Sequence, residues 1–149
     1  MTQPGRQHGP GATRHGEAPE DAEFLQRLHD VAHLFNGEWT SAILVVLSDG
    51  PKHYTEIRDH IRSLAPPDRW SGRRRRLHDS VLTRTLKTLT AHGLIEREQV
   101  SSGFPPSVRY TMSPATAEFL AAWEPVVAWA RAHADLITRA QRRHREEAG

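Results

Sequence analysis

Most constraining for this chain is the order in which its apolar periodicities change. Four short helical stretches, each closed by a turn signal, precede two β-prone runs and a long final helical stripe. From Glu23, the residues Phe24, Leu25, Leu28, Val31, Ala32, Leu34 and Phe35 recur at helical spacing, and Asn36-Gly37 supplies a stop. A second apolar stretch, Trp39, Ile43, Leu44, Val46 and Leu47, ends at Asp49-Gly50-Pro51. Thr55 is placed to cap a short third helix that presents Tyr54, Ile57 and Ile61 to one core, and Ser63 to Gly72 reads as loop. A fourth helix is expected from His78 to Ala91, with Leu82, Leu86 and Leu89 inward and His92-Gly93 as its end. The strands Leu94 to Arg97 and Ser107 to Met112 then flank a turn rich in Ser, Gly and Pro, which predicts a β-hairpin. From Pro114 to about Arg143, Phe119, Leu120, Trp123, Val126, Val127, Ala130, Ala134 and Ile137 repeat every three or four residues, as in one long amphipathic helix.

With 149 residues the chain is long enough for one domain with a real core. Residues 1–20 hold Gly, Pro, His and Arg with almost no large apolar side chain, so they read as a disordered tail. The domain is expected over 21–143, with a disordered C-terminus over 144–149. No apolar run reaches the ~20 residues of a membrane span, and nothing resembles a secretory leader, so a cytoplasmic protein without membrane contact is expected.

The formal net charge of +2 conceals a local concentration: between Arg62 and Lys87 eight basic residues accompany two acidic ones. Such a segment suits a polyanion. Three helices followed by a hairpin is the order of a winged helix-turn-helix, in which a recognition helix enters the major groove and the hairpin lies along the backbone. The fold class expected is therefore mainly α with a small β-hairpin, flanked by N- and C-terminal dimerisation helices. The fourth helix takes the recognition role, because Ser80, Thr83, Arg84 and Lys87 share its outer face and a guanidinium can contact guanine bidentately. Double-stranded DNA is the expected partner, with Arg73, Arg74, Arg75 and Arg76 as a basic arm and Thr55, Ser101, Ser102 and Arg109 as flanking contacts. The apolar residues Phe24, Leu28, Phe119, Trp123, Val126, Val127 and Ala130 exceed what one small core needs, and assign a homodimer interface to the first and last helices.

Other chemistries find little support. There is no Gly-rich phosphate loop, nucleophile elbow or acid/base pair, so an enzyme is not expected, nor a cofactor. His29 and His33 have the spacing of two ligands on one helix face but lack a clustered third, so no metal site is expected. The alternative to operator binding is a winged helix used for protein–protein contact.

The combination Gly37-Glu38-Trp39-Thr40, Ile43-Leu44, Leu47, Gly50-Pro51, Tyr54, Glu56-Ile57, Val81-Leu82-Thr83, Leu86, Leu89, Gly93 to Arg97, Pro105-Pro106, Val108 and Tyr110-Thr111 resembles the HxlR family of bacterial transcription regulators. The resemblance runs roughly from Leu25 to Leu120. It implies a dimeric winged-helix DNA-binding protein. Hydrophobic gaps between helices make common ligand sites, so a small-molecule effector bound between the dimer helices and the DNA-binding core is a further expected partner. Two departures bear on mechanism. Many such relatives carry a sensing cysteine near the start of the first helix; this chain has no cysteine and places about Gln26 there, which excludes thiol sensing. The stretch Arg62 to Arg76, with Trp70 and four consecutive arginines, stands where such relatives pass from the third helix to the recognition helix in a short turn.

Overall fold

The computed structural model describes residues 18–64 and 67–149. Six helices and three strands follow in the order α1 (Ala18–Phe35), α2 (Thr40–Leu47), β1 (Lys52–His53), α3 (Tyr54–Leu64), α4 (Asp79–Ala91), β2 (Ile95–Gln99), β3 (Val108–Met112), α5 (Pro114–Ala132) and α6 (Ala134–Ala148). The expected tail lies outside the described residues as far as residue 17. Helix α1 begins at Ala18, inside the span read as tail, and α6 continues to Ala148, through most of the span read as a disordered C-terminus.

The described residues divide into two compact units, separated between Leu34 and Phe35. In the first, α1 carries Gln26, Arg27 and Asp30 in local side-chain bonds, and leaves Phe24, Leu25 and Leu28 at least half exposed.

In the second unit the core joins α2, α3, α4 and the strands. Helix α2 is apolar nearly all round and buries Ile43, Leu44, Val46 and Leu47, whereas α3 contributes only Ile57 and Ile61. Helix α4 buries Leu82, Leu86 and Leu89, spaced by four and three residues so that one stripe meets the core. Each such leucine contributes on the order of 1.5–3 kcal/mol through burial. Leu77, from the end of the loop before α4, is buried with them.

The expected hairpin forms, and a third strand joins it. The antiparallel sheet has the order β1-β3-β2, pairing Lys52 with Tyr110, His53 with Arg109, and Ile95 to Gln99 with Met112 to Val108. Two residues show no periodicity, so β1 is invisible in the sequence. Thr55 does not cap α3. The helix starts one residue earlier, and the Glu56 carboxylate accepts the His53 backbone N–H at 3.1 Å, the back-reaching half of a capping box.

The long terminal helix is two helices. They meet at His133, whose φ of −114° and ψ of 31° leave the helical region, and whose ring stacks on Trp129 with centroids 4.6 Å apart. No glycine or proline marks this break. Pro125 instead sits inside α5, where a missing N–H would be expected to interrupt the helix.

Candidate nucleic-acid interface

Burial of Leu82, Leu86 and Leu89 turns the opposite side of α4 outward. Ser80, Thr83, Arg84 and Lys87 are all exposed there, on one 13-residue helix. No ion pair involves Arg84 or Lys87 among the described residues, so both cations face solvent uncompensated.

The start of α4 is held from α3. Arg62 donates to the Leu77 carbonyl at 3.0 Å and lies 3.4 Å from the Asp79 carboxylate, with Arg58 3.9 Å from the same oxygen. The Tyr54 hydroxyl donates to the Asp79 carbonyl at 3.0 Å, and Thr83 donates to that hydroxyl at 3.5 Å. Asp79 is the acid that would oppose an incoming phosphate, and two guanidiniums offset it. Tyr54, Arg58 and Arg62 are thus positioning residues that sequence reading missed. Their pairing depends on the angle between two helices, which no local pattern encodes. Thr55 is exposed on α3, one residue from Tyr54.

The loop before α4 is more ordered than a basic arm. Asp68 accepts from the Ser71 hydroxyl at 2.5 Å, from the Trp70 N–H at 3.1 Å and from Arg75 at 3.0 Å. The Ser71 hydroxyl first, then the backbone N–H of Trp70, lower its pKa to about 2. The Asp68 N–H donates to the Arg73 carbonyl at 3.0 Å and the Gly72 N–H to the Asp68 carbonyl at 2.7 Å, which closes the turn. Gly72 takes the left-handed φ of 72° that this turn needs. Arg75 also approaches Glu38, at 3.7 Å. The four arginines therefore separate. Arg75 is spent on two carboxylates, while Arg73, Arg74 and Arg76 are exposed, with no ion pair among the described residues.

The hairpin's outer loop carries the remaining expected contacts. Ser101 and Ser102 are exposed, and Ser101 Oγ accepts the Ser107 N–H at 3.3 Å, so one of the two hydroxyls shapes the loop itself. Arg109 is tied back, donating to Glu98 opposite it on β2 at 2.9 Å; its Nε is buried without a partner among the described residues. Arg97 on β2 is exposed, and Phe104 at the tip is fully exposed; neither was singled out from the sequence.

The residues assigned to a dimer seam also divide. Phe119 stacks on Phe35 with centroids 3.6 Å apart, and Trp123 meets its edge at 5.6 Å, so Phe119 serves the chain's own packing. Trp123, Val126 and Val127 on α5 remain exposed to between 39% and 48%, and Ala130 is half-buried. Among the described residues no cluster of three or more His, Asp or Glu could hold a metal, and no helix is long and apolar enough to cross a membrane.

Three helices, the last with a polar and basic outer face, followed by a hairpin that closes a three-stranded sheet, make this a winged helix-turn-helix protein. The HxlR-like helix-turn-helix family profile matches residues 34–138, and the chain belongs to that family. A protein of Methanothermobacter thermautotrophicus described as an uncharacterized HTH-type transcriptional regulator is 31% identical over 98 residues, 66% of this chain; the match spans 64% of that relative's length. Among solved structures, the reduced form of the transcriptional regulator YodB from B. subtilis is 25% identical, with a TM-score of 0.55 over 70% of this chain and 88% of that one. A MarR-family regulator from Enterococcus faecalis shares the fold at 19% identity, with a TM-score of 0.58 over 87% of this chain and 99% of that one.

Proposed function

We propose that this chain is a transcription regulator that binds double-stranded DNA as a homodimer, with α4 in the major groove and the β2–β3 wing along the flanking backbone. The outer face of α4 carries this reading: two hydroxyls and two unpaired cations on a helix whose inner face is locked into the core and whose first acid is already neutralised. A wing or scaffold meant for protein contact would have no need of that basic face with its one acid, Asp79, already paired.

Dimerisation is proposed from the exposed α5 stripe of Trp123, Val126 and Val127 and, separately, from Phe24 and Leu28 exposed on α1, since exposed apolar side chains of this kind mark interfaces. Two copies related by a two-fold axis would read two half-sites about one helical turn apart. Release from DNA is assigned to a small molecule or a partner and not to thiol oxidation, because the chain has no cysteine.

The test is a footprint of the protein on the DNA upstream of its own gene, followed by the Arg84→Ala variant. A symmetric protected region is expected, and the variant should lose about 1–3 kcal/mol with relaxed preference at one base pair per half-site. Absence of protection at low salt, or unchanged base preference in the variant, would refute the reading.

A further inference from the structure

The insertion between α3 and α4 builds a cavity as well as a basic segment. Its volume is about 540 Å³, within the range of small-molecule sites, and its walls come from α2, α3, α6 and the loop itself. Buried Trp39 and Ile61 line its inner side, and Trp70, Val45 and Leu64 line its open side. Those last three are between 45% and 53% exposed, an unusual grouping for side chains of this size and kind to leave in water together.

The rim is charged and the wall is largely apolar. Arg75 already answers both Glu38 and Asp68, and the pair-bonded carboxylate of Asp68 is only 10% exposed. Arg69, also in the lining, makes no ion pair among the described residues. A ligand that buries itself against that wall must be mostly apolar. Two indoles offer faces and edges to a flat ring.

We infer that this cavity is a binding site for a small, planar aromatic molecule, and that its occupancy is transmitted to the DNA-contacting residues. The transmission rests on the DNA-binding reading above. Its route is short: Trp70 and Arg73 belong to one turn closed by Asp68, and the same segment runs through the buried Leu77 into α4. On the other side, Arg145 of α6 donates to the Arg69 carbonyl, and His144 packs edge-on against Trp70 with centroids 5.8 Å apart. A ring entering beside Trp70 must therefore displace or brace the turn that sets Arg73, Arg74 and Arg76. Two loop arrangements of unequal affinity for the ligand are all that such coupling requires.

The probe is naphthol, added to the full chain labelled for observation of its four tryptophan indole N–H signals. The expected result is saturable movement of the Trp39 and Trp70 signals with those of Trp123 and Trp129 unmoved. Trp70 stands in an exposed loop, so Trp70→Ala should fold normally and weaken naphthol binding about tenfold as followed at Trp39; the surface change Val45→Gln should weaken it too. Movement confined to Trp123 and Trp129, unchanged affinity in both variants, or no saturable binding would overturn the site. So would Trp39 and Trp70 shifts that grow with protein concentration alone, since a second copy would then fill the cavity. With operator DNA, naphthol should change affinity several-fold in the wild type and not in Trp70→Ala. Full occupancy with unchanged DNA affinity would overturn the coupling; a chain that binds naphthol but never DNA would overturn the function proposed above and leave the site standing.

Discussion

The separation of the arginine run makes a quantitative prediction about salt. Arg73, Arg74 and Arg76 project from the turn into solvent, whereas Arg75 is held by Asp68 at 3.0 Å and Glu38 at 3.7 Å. A guanidinium already neutralised by two carboxylates releases few counterions from DNA; a free one that reaches a phosphate releases about 0.9. Replacing the three free arginines by alanine removes roughly six charges from a dimer, so the slope of log affinity against log salt should fall by up to about 5 units. Should only two per protomer reach phosphates, the fall is roughly 3 to 4. Arg75→Ala should leave that slope nearly unchanged and instead loosen the turn. Because phosphate contacts carry little sequence information, the triple variant should lose affinity for specific and unrelated DNA alike. Fluorescence anisotropy of labelled duplexes across a salt series measures both. Parallel lines for wild type and the triple variant, or a larger slope change from Arg75→Ala than from the other three, would refute the assignment.

Other expectations follow from single positions. Trp123→Glu places a charge in the exposed α5 stripe, and sedimentation should show monomers in place of the dimer proposed for the wild type; a tight dimer would return the stripe to the monomer's own surface. The Asp68 carboxyl is held down to about 2 by Ser71, so the turn's order should be complete above the ordinary carboxylate pKa and be lost as pH falls through about 2. Asp68→Asn should abolish that acid transition, as followed by the Trp70 signal; an unchanged transition would assign it elsewhere. Gly93 ends α4 at a φ of 75°, with the Leu94 N–H returning to the Leu89 carbonyl at 3.0 Å. Gly93→Ala should cost about 1 kcal/mol in denaturant unfolding, and no loss would mean the α4 terminus tolerates a side chain there.

How much of this was readable without coordinates differs by element. Helix α4 was, because Leu82, Leu86 and Leu89 against Ser80, Arg84 and Lys87 is a pattern that a 3.6-residue repeat converts directly into an inner and an outer face. The hairpin was as well, from β-prone runs around a turn. Neither β1 nor the break at His133 was, since a two-residue strand exists only through its pairing with β3, and Ala132-His133-Ala134 contains no residue that stops a helix by itself. The same limit governed the site. Sequence placed the four arginines beside α4, and charge alone made them look equivalent.

What the sequence determined by itself is therefore the succession of helices α1 to α4 and the hairpin, the family and the basic outer face of one helix, all consequences of local periodicity and composition. Tertiary structure alone decided which charges are free. Arg75 and Arg109 are engaged by Asp68 and Glu98, seven and eleven residues away along the chain. Tyr54 and Arg62 reach Asp79 from another helix. Trp39 and Trp70, thirty-one positions apart, come to line one cavity. Hydrogen bonds and ion pairs form over about 3 Å, and whether residues distant in sequence come that close depends on how the packed leucines orient the helices that carry them.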